Sequence, residues 1–363
     1  MDERLIKSED LVQLARLALL GKQKDVQLYV RRLVHRYRIA VPELANELGA
    51  LLRNSPQSSP LRGAVVDAVP VDLDSRLQLA RTEDPVTLEI RPVWDPRVKE
   101  QLERVVSERR RDTELLAAGL HATKSALFTG PPGVGKTLAA RWLAKELHRP
   151  LVVLDLAAVM SSFLGRTGNN VRNVLDYAKG LECVFLLDEL DAVAKRRDDA
   201  IEVGELKRLV TVLLQEIDGW PSSGFLVAAT NHPELLDPAV WRRFEVIIEF
   251  PMPSEEQLRE AVSQHLQTDG EAVPWANVVA RSLQGLSYAD ADRELLAARR
   301  NAVLNHEPLL QSVQRLVQQR ASQLGRDARG RLATSLLELG ISQREAHRWT
   351  GVSRDTMRLR KAQ

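Results

Sequence analysis

A glycine-rich segment at residues 130–137 has the residue types and spacing of a phosphate-binding loop. Its letters, GPPGVGKT, match G-x-x-x-x-G-K-[ST] between an apolar run and a helix-forming run, which is the context this pattern needs. Backbone amides of such a loop, with the start of the next helix, attract phosphate oxygens. Lys136 is expected to reach the terminal phosphates, and the Thr137 hydroxyl to bind magnesium. The residues predicted to bind ATP here are Gly130, Pro131, Pro132, Gly133, Val134, Gly135, Lys136 and Thr137.

Two adjacent carboxylates follow the apolar run VFLL. Asp188 and Glu189 would lie at the carboxyl end of a strand, where ligands bind in open α/β sheets. Asp188 is predicted to hold magnesium through water, and Glu189 to polarise the attacking water as a general base. An isolated acidic pair is more often a solvated turn, but a phosphate loop about 50 residues upstream favours a catalytic site. An intact Glu189 predicts hydrolysis of ATP beyond mere binding.

A polar amide ends the next apolar run, FLVAAT. Asn231 follows Thr230 directly and would stand beside the carboxylates if the two strands are neighbours. There Asn231 could orient the lytic water. The alternative is a turn-forming asparagine before His232 and Pro233.

The elements that must position these groups are predicted from the apolar pattern. Short apolar runs alternate with segments long enough to cross a sheet, which predicts a parallel α/β sheet. After Phe250 the strands stop, and residues 254–305 are expected to form a helical lid. The predicted strands are SALFT, LVVLDL, CVFLLD, FLVAAT and EVIIEF.

The length of 363 residues exceeds one ordinary core and predicts a modular chain. Apolar residues at helical spacing predict an N-terminal helical bundle, and NSPQSSPLRG at 54–63 reads as a linker. The predicted units are an N-terminal helical module (1–55), a linker and connecting segment (56–91), an α/β nucleotide-binding domain (92–250), a helical lid (251–308) and a basic C-terminal helical domain (309–363).

Composition excludes several classes of protein. Hydrophobic residues at 44% and charged residues at 28% indicate a folded chain and exclude disorder. No stretch approaches the roughly 20 apolar residues of a membrane span, so we expect a cytoplasmic protein with no membrane partner. Cys183 is the one cysteine, which excludes an intrachain disulfide and predicts inert core packing.

Four motifs, GPPGVGKT, FLLDELD, ATN and LDPAVWRRF, occur in the order and spacing that resemble the AAA family of ATPases, over roughly residues 92–305. The resemblance implies a P-loop parallel-sheet AAA core with a helical lid, which uses ATP and Mg²⁺ within a homo-oligomeric ring, usually a hexamer. It also implies that Asn231 senses the γ-phosphate, and that Arg242 and Arg243 are arginine fingers that reach a neighbour's ATP.

The two arginines are adjacent, as in the subset that resembles meiotic and microtubule-severing members, and this leaves open which of them touches phosphate. Without the family, Arg242 and Arg243 beside Trp241 and Phe244 would be an exposed basic pair at a helix end.

The resemblance assigns two further sites. Phe163, Leu164 and Gly165 stand where the family has a pore loop that grips polypeptide, which implies a protein substrate; a core phenylalanine is the alternative. In the lid, GLSYAD at 285–290 resembles the second sensor region, usually G-x-S-G-A-D, and places Ala289 near the nucleotide, with Tyr288 in place of a glycine. The run from the N-terminal module to NHPELLDPAVWRRF resembles bacterial AAA ATPases encoded beside subtilisin-like serine proteases, which suggests such a protease as partner.

The end of the chain is basic. Residues 315–363 hold 11 Arg or Lys against 4 Asp or Glu. Within them, ISQREAHRWTGVSRDTMRLRKA resembles a helix-turn-helix, with Ser353 suited to cap the second helix and His347 where a small residue is usual. The alternative is a helical domain that packs against the ring or docks a partner. The candidate contacts to duplex DNA are Arg354, Arg358, Arg360 and Lys361.

Three hypotheses follow. The first is an ATPase ring that remodels or controls a protein partner, and the second is an ATP-dependent DNA-associated switch. The third, a scaffold that binds ATP without turnover, is disfavoured by the intact Glu189 and by the arginine pair.

Overall fold

The computed structural model describes residues 78–155, 167–191, 215–267 and 269–361 as continuous segments, with residues 167, 360 and 361 in backbone only. It also describes isolated residues, which are 10, 29, 30, 33, 34, 36, 37, 41, 44, 47, 70, 71, 159 and 213. The chain divides into two units, Met1–Asp67 and Ala68–Gln363. Each unit is described by itself.

The N-terminal unit contains a buried carboxylate surrounded by hydrogen-bond donors. Asp10 accepts hydrogen bonds from the hydroxyls of Tyr37 (2.6 Å) and Tyr29 (2.8 Å) and from the guanidinium of Arg36 (2.6 Å). These bonds, that of Tyr37 first, lower the pKa of Asp10 to about 2. The described residues at 29–30, 33–34 and 36–37 are helical, while the bundle as a whole and the linker at 54–63 lie outside the described residues.

A six-stranded sheet forms the centre of the second unit, in the order β1-β3-β4-β5-β2-β6. The strands β2 to β6 pair in parallel, and β1 pairs antiparallel with β3 at the edge. The prediction of a parallel α/β sheet is confirmed. The strands are β1 Ala80–Glu83, β2 Ser125–Thr129, β3 Leu151–Leu154, β4 Val184–Leu187, β5 Phe225–Thr230 and β6 Val246–Glu249.

The three central strands are buried on both faces, which is why they read as unbroken apolar runs. Cys183, just before β4, is fully buried and donates to the carbonyl of Ala178, and burial raises the pKa of its thiol to about 12. Packing is therefore its role. The helices around the sheet are α1 Pro96–Arg110, α2 Asp112–Ala117, α3 Lys136–Glu146, α4 Thr167–Gly180 and α5 Pro238–Trp241.

The chain continues as helices after β6. The apolar side chains of these helices, from Leu258 to Met357, join in one hydrophobic cluster, so the lid and the C-terminal helices share a core. Arg281 ties the two together, since it bonds Glu255 in the lid and the Arg331 carbonyl beyond it. No helix in the described segments is long and apolar enough to cross a bilayer. The helices are α6 Glu255–Leu266, α7 Ala276–Ser282, α8 Tyr288–Leu304, α9 Leu309–Ala321, α10 Arg326–Glu338, α11 Gln343–Thr350 and α12 Arg354–Lys361.

Candidate nucleotide site

The glycine-rich loop connects β2 to α3 and is in contact with the lid. Gly133 has φ +77°, and a Cβ built on it would lie 2.4 Å from the Ser287 hydroxyl oxygen, so only glycine fits. The amide of Ala289 donates to the carbonyl of Gly133 at 3.1 Å. The start of α8, with Ala289, therefore contacts the loop.

Lys136 opens α3 and is buried at the base of the loop. Its ammonium donates to the carbonyls of Gly130 and Pro131 and to the side-chain oxygen of Asn231, each at 2.7 Å. Burial lowers the pKa of Lys136 to about 8, and the nearby Asp188 and Asp191 oppose this shift. The structure thus brings Lys136 and Asn231 together, although 95 positions separate them in sequence.

The order of the strands in the sheet explains why Lys136 and Asn231 lie together. Because β5 lies between β2 and β4, the residue after β5 stands between the loop after β2 and the carboxylates after β4. Parallel strands bring their carboxyl ends to one edge, where ligands bind in such sheets. Asn231 occupies that central place.

The two predicted magnesium ligands are in direct contact. The Thr137 hydroxyl donates to a carboxylate oxygen of Asp188 at 2.7 Å. Among the described residues, no group of three or more His, Cys, Asp and Glu side chains could hold a metal ion by itself. A hydroxyl and one carboxylate nevertheless suit Mg²⁺, which keeps waters and takes further oxygens from substrate phosphates. The pair fits a metal that arrives with the nucleotide.

Glu189 directly follows Asp188 in the chain, is exposed, and lies at a backbone turn. Its φ of +53° lies in the left-handed region, which is uncommon for a residue with a side chain and is concentrated at functional sites. The amide of Glu189 donates to the other oxygen of Asp188 at 3.0 Å. The turn therefore fixes Glu189 relative to the proposed metal position.

Asp191 is a site residue that the sequence analysis missed. Its buried carboxylate accepts from the Thr230 hydroxyl at 3.0 Å and from the Asn231 amide at 3.1 Å. These bonds join the chain after β4 to the end of β5. Asp191 is thus a positioning residue for Asn231, and the acidic residue two places after Glu189 was the available signal.

The two arginines differ in their surroundings. Arg243 forms an ion pair with Asp218 of the same chain. Arg242 is exposed, and none of the described side chains forms an ion pair with it. Of the two arginines, Arg243 is therefore held by a residue of its own chain, and Arg242 faces solvent.

A cavity of about 400 Å³ adjoins the loop, within the size range of small-ligand pockets. The Trp94 ring packs against Gly135 of the loop, and on the lid side His265 pairs with Asp292 at 2.8 Å. Leu138 and Tyr288 complete this part of the wall. The glycine-rich pattern predicts phosphate contacts but does not predict this cavity, which is assembled from three separate parts of the chain.

The remaining predicted residues lie away from this site. The side chains of Arg354 and Arg358 are exposed on α12, and Arg358 lies 4.0 Å from Asp355. The Thr356 amide donates to the Ser353 hydroxyl at 3.2 Å, as expected of a helix cap. The side chains of Arg360 and Lys361, and the segment with Phe163, Leu164 and Gly165, are outside what the structure describes.

The histidine that departs from the helix-turn-helix pattern does not separate its two helices. His347 is exposed, and its ring contacts the Val352 carbonyl in the turn at 2.8 Å. Among the described side chains of these two helices, Ala346, Thr350 and Met357 are buried.

Comparison with known proteins matches residues 126–252 to the ATPase family associated with various cellular activities (AAA). An uncharacterized AAA family ATPase of Sinorhizobium fredii, y4kL, is 41% identical over 52% of this chain and 57% of its own length. The 26S proteasome regulatory subunit 6A of Saccharomyces cerevisiae is 32% identical, over 57% of this chain and 50% of its own length. A proteasome-activating nucleotidase of Methanococcus maripaludis is 33% identical, over 56% of this chain and 52% of its own length.

This chain spans about half the length of these relatives. The resemblance to AAA ATPases is thereby supported for the α/β domain, and with it ATP hydrolysis by that domain.

Proposed function

We propose that this protein is a magnesium-dependent ATPase that works as a homo-oligomeric ring, a hexamer, and couples turnover to the remodelling or control of a partner protein. The observation that carries the proposal is the meeting of Lys136, Thr137, Asp188 and Asn231 at the carboxyl ends of β2, β4 and β5. A phosphate loop, a metal pair and a polar amide at one sheet edge are what phosphoryl transfer needs.

Each side chain has a distinct task in the proposed reaction. Lys136 exchanges its loop carbonyls for phosphate oxygens, and Asn231 then becomes free to orient the attacking water. Glu189 accepts a proton from that water. The water oxygen attacks the γ-phosphorus as the bond between the γ-phosphorus and the β-phosphate oxygen breaks. Thr137 and Asp188 would hold magnesium, which would neutralise charge on the phosphates.

The proposed ring places Arg242 at the ATP of the adjacent subunit. Support comes from its exposure beside the paired Arg243. An arginine supplied in trans stabilises the charge of the transition state in other NTPases. Sharing the site between subunits would make hydrolysis depend on assembly.

A protein substrate or partner is proposed on three grounds. The family resemblance puts a pore loop at Phe163, Leu164 and Gly165, and two relatives are named for the proteasome. The resemblance to ATPases encoded beside subtilisin-like serine proteases makes such a protease the first partner to test. The N-terminal unit would recruit substrate or partner.

Replacing Glu189 with Gln tests the proposal. The variant should retain ATP but lose turnover by about 10²- to 10⁴-fold, because the amide cannot accept a proton. Steady-state phosphate release and ATP binding would be measured on the full chain, with Glu182→Gln, exposed at the other end of β4, as control. Unchanged turnover in Glu189→Gln would reject the assigned role, and an inactive wild type that retains ATP would leave the scaffold hypothesis standing.

A second candidate is an ATP-dependent switch that associates with DNA. The capped helix α12, with Arg354 and Arg358 exposed after a turn at Gly351, favours it. The two candidates differ in what stimulates the ATPase. Polypeptide or a protease partner would do so in the first, and duplex DNA in the second.

A further inference from the structure

Tyr288, the first residue of α8, has a buried hydroxyl that no described residue satisfies. Its oxygen is shielded from solvent and has no hydrogen-bond partner in the described part of the chain. Burial of a hydroxyl without a partner is costly, and such orphaned groups in native structures call for an explanation. The hydroxyl therefore needs a partner from outside the described residues.

The position of Tyr288 limits what that partner can be. The residue lines the cavity beside the phosphate loop, together with Gly135 and Trp94. Its neighbours on both sides contact the loop, since Ser287 packs on Gly133 and the Ala289 amide donates to the Gly133 carbonyl. Tyr288 is thus held beside the phosphate loop.

A nucleoside attached to a triphosphate on the loop would lie near this cavity. The loop ends at Gly135, where α3 begins, and Gly135 is itself part of the cavity wall. About 400 Å³ of space is enough for part of a small ligand. The cavity therefore lies beside the phosphate loop, where a ribose and base attached to a bound triphosphate would be expected.

We propose that the Tyr288 hydroxyl donates a hydrogen bond to the nucleoside part of ATP and so determines nucleotide affinity at this site. The inference rests on the proposed function, because it assumes a triphosphate on the loop. The acceptor is a ribose hydroxyl oxygen or a ring nitrogen of the base. The resemblance to AAA ATPases places a glycine at this position, and a glycine has no side chain to make this bond.

The tyrosine is suited to donate. Burial, with the Glu260 and Asp95 carboxylates, raises the pKa of Tyr288 above its ordinary value. The hydroxyl therefore keeps its proton at neutral pH. Neither carboxylate forms a hydrogen bond with it among the described contacts, so the donor is unpaired within the described part of the chain.

The test compares ATP with inorganic tripolyphosphate, which has the phosphates but no nucleoside. Dissociation constants would be measured by calorimetry, with magnesium, for the wild type and for Tyr288→Phe. Loss of one hydrogen bond should weaken ATP binding about three- to tenfold and leave tripolyphosphate unchanged. Tyr177→Phe, a partly buried tyrosine of α4 packed on another core, is the matched control and should change neither.

Two outcomes would overturn the inference. Equal ATP affinity of Tyr288→Phe and wild type would show that the hydroxyl makes no such bond. Equal weakening for ATP and tripolyphosphate would show that the change acts through the loop contacts of Ser287 and Ala289. A wild type that binds neither ligand would instead refute the proposed function.

The same titration with 2′,3′-dideoxy-ATP identifies the acceptor. If the ribose hydroxyls accept the bond, the difference between Tyr288→Phe and wild type disappears with the dideoxy nucleotide. If the base accepts it, the difference persists. Either result supports the inference.

Discussion

Lys136 illustrates how a single residue of this site is tuned by its surroundings. Its ammonium is buried, and three oxygen atoms at 2.7 Å take its three donors. Burial nevertheless lowers the pKa of Lys136 to about 8, because its effect on the pKa is larger than the opposing effects of these contacts and of the two aspartates. A triphosphate favours the charged form, because its oxygens carry full negative charge.

This shift predicts a pH dependence of ATP binding. Below pH 8 the free protein already carries the charged lysine, whereas above it binding must take up a proton. The ATP affinity should therefore hold below pH 8 and fall by up to about tenfold per unit above it. Calorimetry from pH 7 to 9.5 would measure this. Lys136→Arg should flatten the profile, because guanidinium keeps its proton in this range; a flat wild-type profile would contradict the assignment.

Residues whose chemistry is local could be predicted from sequence. Lys136 and Thr137 belong to one short pattern, and Asp188 follows its strand directly, so Thr137 and Asp188 could each be assigned to magnesium from the sequence. Asp191 could not be predicted in this way. Its partners, Thr230 and Asn231, are about 40 positions away and become neighbours only through the strand order.

At the scale of elements, buried strands were predictable and edge or shared elements were not. The central strands β2, β4 and β5 gave clear apolar runs because both of their faces are covered. β1, with the letters ARTE, has two exposed residues at the edge of the sheet and gives no apolar run. Amphipathic helices reveal a buried face but not its partner, so the common core of lid and C-terminal helices was not foreseeable.

The helix α12 supports a prediction about DNA. If Arg354 and Arg358 contact phosphates, binding of duplex DNA by the full chain should weaken steeply with salt. Arg354→Ala and Arg358→Ala should each lower the slope of log affinity against log salt by about 1. Arg300→Ala, an exposed arginine on α8, is the matched control. Wild-type binding without salt dependence, or equal slopes in all variants, would leave α12 with a packing or docking role only.

At the scale of the whole molecule, the proposed hydrolysis depends on two copies of the chain sharing one site. In the proposed function the chain supplies a phosphate loop, a pair of residues that would hold magnesium, and a general base. Its exposed Arg242 is set apart from Arg243, which is paired with Asp218. In the proposed ring, the Arg242 of one subunit would complete the site of the next, and closed symmetry would repeat this contact around the assembly.

Mixing two inactive variants tests this claim most directly. Lys136→Ala loses its own phosphate site but keeps Arg242, and Arg242→Ala does the reverse. Each alone should hydrolyse little ATP, whereas an equal mixture should recover roughly a quarter of the wild-type rate, because half the subunits keep the loop and half their neighbours keep the arginine. The mass of the mixed assembly would be measured in the same samples. A mixture that assembles but hydrolyses no faster than its two components would contradict the shared site.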